Sequence, residues 1–230
     1  MNWFSRLTVR ARLTVGFVFV AIIAAIIGAV GLTSLNRVNG MATQMHDFEL
    51  QGLYQVGRGD SELRSAGRAL RGALLAGPGA ERDGAAKQLQ GHFRELQALG
   101  SDVGKFFRNA DNQARIQRLQ GLIRDYESAA MKMLDLLRQG TVAEELRARE
   151  LLVNEASPKG NEAEALMGEL LQIKRANAQR FEEQMATEQQ TAQILIAVLT
   201  LGGVILALLL GYLLSRAISR QLGGEPSEVA

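Results

Sequence analysis

Ile194–Leu214 reads ILIAVLTLGGVILALLLGYLL and holds no charged residue. A second stretch, Leu13–Leu35, is equally free of charge and opens LTVGFVFVAIIAAIIGAVGL. At ~1.5 Å rise per residue, a helix of about 20 residues crosses the ~30 Å hydrocarbon layer of a bilayer, so each stretch is long enough to span a membrane. The first is not read as a cleaved signal peptide. Arg6, Arg10 and Arg12 precede it as they would in one, but signal cores run to ~7–15 residues and close on a small-x-small site, which GAVGLTSLN matches poorly. Over all 230 residues the bulk composition hides these spans, with 26 basic against 24 acidic residues and a formal net charge of +2.

The flanks set an orientation. Arg6, Arg10 and Arg12 stand before the first span, and Arg216 and Arg220 follow the second, whereas Glu182, Glu183 and Glu188 lead into it from the other side. The positive-inside rule then puts both termini in the cytoplasm and residues 36–190 outside it, in a two-span membrane protein. Trp3 and Tyr212 lie where interfacial rings anchor spans. The chain has no cysteine, so the outer region is not a disulfide scaffold.

That outer region is rich in Ala, Leu, Glu, Gln and Arg, and its punctuation predicts four helices. AGPGA at 76–80, RNADN at 108–112 and RQGTVAEE at 138–145 are stop-and-turn signals, the last with Thr141 and Glu144 at capping-box spacing. The helices are expected at 36–76, 81–108, 111–139 and 142–190, with a break or kink at Pro158 and Gly160. Apolar residues recur at 3–4 spacing: Leu35, Val38, Ala42, Met45, Val56, Leu63, Ala66, Leu70 and Ala73 on the first helix. Leu89, Phe93, Leu96, Val103 and Phe107 follow on the second, Ile116, Leu119, Ile123, Tyr126, Met133 and Leu137 on the third, and Leu166, Leu170, Ile173 and Phe181 on the fourth. Short connections make neighbours antiparallel. The expected fold is all-α, an antiparallel up-down four-helix bundle flanked by two transmembrane helices. The many glycines of the first helix (52, 57, 59, 67 and 72) are either close-approach positions, in the chain or in a homodimer, or simply tolerated.

No catalytic constellation stands out, and the protein is not read as an enzyme. His46 and His92 lie on different helices, there is no metal-ligand spacing or phosphate loop, and no cofactor is implied. The near-neutral balance and few aromatics speak against a nucleic-acid partner.

The stretch ELRSAGRALRGALLAG, residues 62–77, carries Arg64, Arg68 and Arg71 in one narrow helical sector with no acid between them. At ~1.5 Å per residue from the membrane edge, Arg68 stands ~50 Å out, Tyr126 ~45 Å, and Ser157 to Asn161 ~45–50 Å. These elements share one membrane-distal layer. Arginine suits bidentate carboxylate recognition, so Arg64, Arg68, Arg71, Tyr126, Ser157 and Asn161 are candidate ligand-binding residues for a small anion. The plainer alternative is that Arg64 pairs with acids on a neighbouring helix and Tyr126 packs in the core. In the spans, Ala21, Ala25 and Ala29 face one way on the first, and Gly203, Ala207 and Gly211 on the second. Such small-residue faces let helices pack closely, either to slide or as a static seam.

The end of the chain, SRAISRQLGGEPSEVA at 215–230, resembles the start of a HAMP linker, with Gln221 where a proline is usual. WFSRLTVRARLTVGF at 3–17, RDYESAAMKMLDLLRQG at 124–140 and ELLVNEASP at 150–158 are similar to the N-terminal part of bacterial methyl-accepting chemotaxis proteins. The resemblance implies a homodimer of sensor bundles that bind amino acids or carboxylic acids between subunits, with Arg64 and Arg68 matching best the arginines that grip the ligand. It implies that SPKGN at 157–161, which lacks the usual threonine, supplies further contacts. It implies, too, a cytoplasmic chemotaxis kinase and adaptor as partners. The expected division is 1–12 cytoplasmic, 13–35 first span, 36–190 ligand-binding bundle, 191–214 second span and 215–230 HAMP start. As the chain ends at Ala230, a receptor fragment or truncated product is expected. A sensor kinase or cyclase, or a non-sensing anchored bundle, would share this architecture.

Overall fold

The computed structural model describes residues 9–221; Trp3, Arg6 and most of the expected HAMP start lie outside them. The described chain has six α-helices and, among these residues, no strand. They are α1 (Val9–Gln44), α2 (Gln51–Leu75), α3 (Ala80–Val103), α4 (Ala110–Gln139), α5 (Val142–Leu151) and α6 (Ser157–Gln221). A π-helical segment, Met45–Leu50, joins α1 to α2, and a second, Leu152–Ala156, joins α5 to α6.

The turns form where the punctuation lies. Gly79 and Gly140 adopt positive φ (110° and 71°), a conformation that only glycine takes without strain. Gly140 is thus the left-handed cap that ends α4. Asn109 caps α4 by accepting from the Asp111 N–H at 2.8 Å, and Thr141 caps α5 by accepting from the Glu144 N–H at 3.2 Å. The second helix of the bundle stops earlier than expected. After Val103 the chain tightens into a 3-10 turn, Gly104–Phe106, and Phe107 is extended. The expected break at Pro158 takes another form: the helix widens into the π turn just before the proline and continues through Gly160. A π turn has room for the ring and the missing N–H that a regular α turn lacks.

Two compact units result. Thr43–Phe181 forms one, a closed four-helix bundle. Cross-helix pairs show its order. Arg58–Glu95 and Glu62–His92 set α3 antiparallel to α2; Gln120–Gly100 and Gln97–Glu127 set α4 against α3. Arg118–Glu162, Arg115–Glu169 and Lys159–Asp125 set α6 against α4, and Arg64–Glu164 returns α6 to α2. The apolar stripes close into one core in which Leu63, Leu70, Leu89, Phe93, Met133 and Leu170 are fully enclosed. The expected core members from Val56 to Leu170 are all buried. Leu35, by contrast, is exposed, and Val38, Ala42, Met45, Ile173 and Phe181 are only partly covered. Four helices enclose a stripe, and the helix pair that holds Leu35, Val38 and Ala42 cannot.

That helix pair is the other unit, formed by residues 9–42 and 182–221 among those described. Both helices are long and apolar enough to cross a membrane. Large apolar side chains such as Phe17, Leu32, Leu201 and Leu208 stand exposed along them, as suits segments whose solvent is lipid. The two helices run antiparallel, with Gly203 against Ile23 and Arg37 paired to Glu188 at 3.3 Å. Ala207 and Gly211 line a groove with Gly16, Phe17 and Val20 of the first span. Ala29 lines another with Thr33, Glu188 and Leu195. Ala21 and Ala25 are exposed, because the contact face of the first helix follows Ile23 and Val30 instead. Tyr212 is exposed.

The end of the bundle that carries the α2–α3 and α4–α5 turns is stapled by Arg82, which is 6 % exposed. Its guanidinium donates to Leu137 O at 2.7 Å, Ala76 O at 2.9 Å and Glu145 Oε1 at 3.0 Å, joining four segments. Arg82→Ala strips one buried and one part-buried carbonyl of their donor and is expected to destabilise the fold by roughly 2–5 kcal/mol in urea unfolding. Arg64→Ala, which removes only exposed ion pairs, should leave the unfolding midpoint close to that of the parent chain.

Candidate functional site

A packed cluster forms around Tyr126 of α4. Its ring is 4 % exposed and meets Phe93 edge-on, with centroids 5.3 Å apart at 75°. Glycines of two other helices admit it. A β carbon at Gly160 of α6 would lie 3.2 Å from Tyr126 Cζ, and one at Gly67 of α2 would lie 3.5 Å from Tyr126 Oη. Thus α2, α4 and α6 converge on one phenol. Burial pushes its pKa up to about 12, with the nearby Arg71 charge opposing and Glu164 adding to the shift.

The three arginines are exposed and differ in how far they are neutralised. Arg64 is held within the chain. Its Nε and Nη2 donate to Asp60 at 3.0 and 3.2 Å, and Nη1 lies 3.4 Å from Glu164 Oε2. The hydrogen bond to Asp60, then the charges of Asp60 and Glu164, raise its pKa further. Arg68 donates from Nη2 to Ser65 Oγ at 2.7 Å, a neutral partner, and among the described residues no carboxylate pairs with it. Arg71 sits over Gly67, its Nη2 3.6 Å from where a β carbon there would lie, on the side that also meets the Tyr126 hydroxyl. Of SPKGN, Gly160 is the residue seen against the ring; Ser157 is half-buried and Asn161 exposed.

Some of this was readable in advance and some was not. Asp60 stands four residues before Arg64, the spacing of a helical ion pair, and could have been found. Glu164 lies 100 residues further along α6, and only the folded bundle brings it to Arg64. The same is true of Glu62, whose Oε2 lies 2.6 Å from His92 Nδ1.

A family model described as the four helix bundle sensory module for signal transduction matches residues 6–188. The fold and this match define a class: a helical sensory module joined to helices able to cross a membrane. The chain belongs to that family, the sensor region of methyl-accepting chemotaxis receptors. No curated protein and no solved structure matches it.

The phenol offers a direct check on the packing. In the unfolded chain a tyrosine ionises near pH 10, and Tyr126 in the fold does so only at about 12. Its contribution is therefore complete below pH ~10 and is lost as pH rises toward ~12. Tyr126→Phe is expected to flatten the alkaline fall in stability measured by urea unfolding. Ultraviolet titration should show one of the three tyrosines ionising last, and that phase should vanish in the variant.

Proposed function

We propose that the chain is the sensing part of a membrane chemoreceptor. It binds a small anion, an amino acid or carboxylic acid, at the layer of Tyr126. The reading puts 36–190 in the periplasm and both termini in the cytoplasm, with the spans at 13–35 and 191–214. The observation that carries it is the pair Arg68 and Arg71, whose charges no carboxylate of the described chain cancels, on the α2 face beside the Tyr126 cluster. Arg71 and the phenol stand on one side of Gly67, so an anion there meets a guanidinium and a hydroxyl together. Arg64 has a different part. A ligand carboxylate would compete with Asp60 and Glu164 for it, and displacing Glu164 would free a residue of α6.

The arginine face is exposed, so a second copy of the chain encloses the ligand in the proposed homodimer, with Ser157 and Asn161 of α6 completing the contacts. The unbroken α6, Ser157–Gln221, is the path of the signal. A shift of ~1–2 Å at its first turns travels along a rigid helix to a HAMP-type linker and, beyond it, to a cytoplasmic chemotaxis kinase and adaptor. A second reading draws on a different observation. Leu75, Val142, Leu146 and Val153 are exposed on α2, on α5 and in the following π turn. That suits the docking of a ligand-loaded binding protein.

Thermal unfolding of the full chain in nanodiscs against a panel of amino and carboxylic acids tests the proposal. A ligand at 100 times its Kd should stabilise the fold by ~2.7 kcal/mol. Arg68→Ala and Arg71→Ala are expected to abolish the shift, and Arg64→Ala to weaken it less. A shift that survives both of the first two variants contradicts this site; no shift with any compound favours the docked binding protein.

A further inference from the structure

A second charged cluster lies apart from the distal layer. Lys174 of α6 is 1 % exposed. Its ammonium donates to Glu49 Oε2 at 3.0 Å, to Phe48 O at 3.2 Å and to Phe106 O, and it lies 4.6 Å from the centre of the Phe107 ring. Glu49 is buried too. Two of the three acceptors, Phe48 and Glu49, belong to the π-helical segment Met45–Leu50; the third ends the 3-10 turn after α3.

A π turn rarely persists without outside help. Its N–H groups reach five residues back, as Gln51 does to His46 O, and here the same N–H is shared with Phe48 O in a three-centre bond. Here a lysine from another helix donates to a carbonyl of that segment. The segment's own residues, MHDFEL, include no proline or glycine that would force a π turn. Its surroundings are shaped for the lysine instead. A β carbon at Gly52 would lie 2.7 Å from Lys174 Cε and 2.9 Å from Phe106 Cβ, so the stem passes only because position 52 is glycine. The Arg108 guanidinium covers the Phe48 ring at 3.8 Å.

We propose that the Lys174 ammonium is a latch that holds residues 45–50 in the π turn. Withdrawing it lets the segment close to α-helix and shifts the helical phase of the residues before Met45 by about one residue, or ~100°. The hydrogen-bond ladder has two registers, so a small movement of α6 becomes a discrete turn of α1. The first span then carries a signal as well as the second. This goes beyond the sensing layer and holds for any ligand.

The absence of cysteine permits a clean test in the full chain in membranes. Single cysteines at 38–44 and 53–58 are scanned for reaction with a water-soluble maleimide. In Lys174→Met, the reactive face before Met45 is expected to move by one residue while the face after Leu50 stays. Gly52→Ala, which displaces the lysine stem, should move it likewise. Glu49→Gln keeps an oxygen acceptor and should keep the wild-type phase. A wild-type phase in both Lys174→Met and Gly52→Ala overturns the latch, as does lost helical signal with no change of phase, the mark of a merely structural pair. The unaltered chain gives an arm free of folding effects. Its amides at 49–52 are expected to exchange faster than those of the flanking α turns, and equal protection overturns the proposal.

Discussion

A phenol ring seated between two glycines governs how closely three helices of the bundle approach. Tyr126 fills the space that side chains at Gly67 and Gly160 would occupy, and it is braced by Phe93. Interiors are packed near the density of organic crystals, so a ring in that position sets how closely the three helices approach. The exposed arginines of α2 take their setting from it. Arg71 lies over the same glycine that admits the hydroxyl, and Arg64 reaches α6 through Glu164 only because the helices stand that close. A sensor needs this kind of rigidity at the point of contact. Otherwise ligand binding would be absorbed by local rearrangement and would not move a helix.

The same principle explains glycines that helix propensity alone would disfavour. Gly52 admits the stem of Lys174 and Gly59 the end of Met167, both from α6. Each costs about 1 kcal/mol of helical propensity against alanine, and the packing it permits offsets that. Gly57 differs, since nothing lies within 4 Å of a β carbon there. Close approach inside the chain thus accounts for three of the five glycines of α2 (52, 59 and 67).

Much of this was legible from residue pattern. The apolar stripes of Leu63, Leu70, Phe93, Ile123 and Leu170 named the core, and the Gly-Pro, Asn-Asp and Gly-Thr signals marked the turns, because periodicity and turn chemistry are local. A shared height for Arg68, Tyr126 and Ser157–Asn161 was expected from the constant rise per residue, and Gly67 and Gly160, beside two of them in sequence, meet the Tyr126 ring. What stayed hidden were the buried charges. Nothing near Arg82 or Lys174 in sequence names Leu137 O, Glu49 or Phe106 O as their partners. The π turns were hidden for a related reason. At Met45–Leu50 a lysine 125 residues beyond Glu49 holds the turn. At Leu152–Ala156, Pro158 was visible, yet whether a helix breaks, bends or widens there depends on what packs around it.

In the proposed function the ligand is felt at the layer of Tyr126. Carbon-13 labelling of the three tyrosines, with assignment by single Tyr→Phe substitutions, tests it most directly. Nuclear magnetic resonance would follow the rings of Tyr54, Tyr126 and Tyr212 in the membrane-embedded chain as a stabilising acid is added. The Tyr126 ring signals are expected to shift and saturate with the ligand while those of exposed Tyr54 stay in place. A compound that stabilises the fold and leaves Tyr126 unmoved would contradict it.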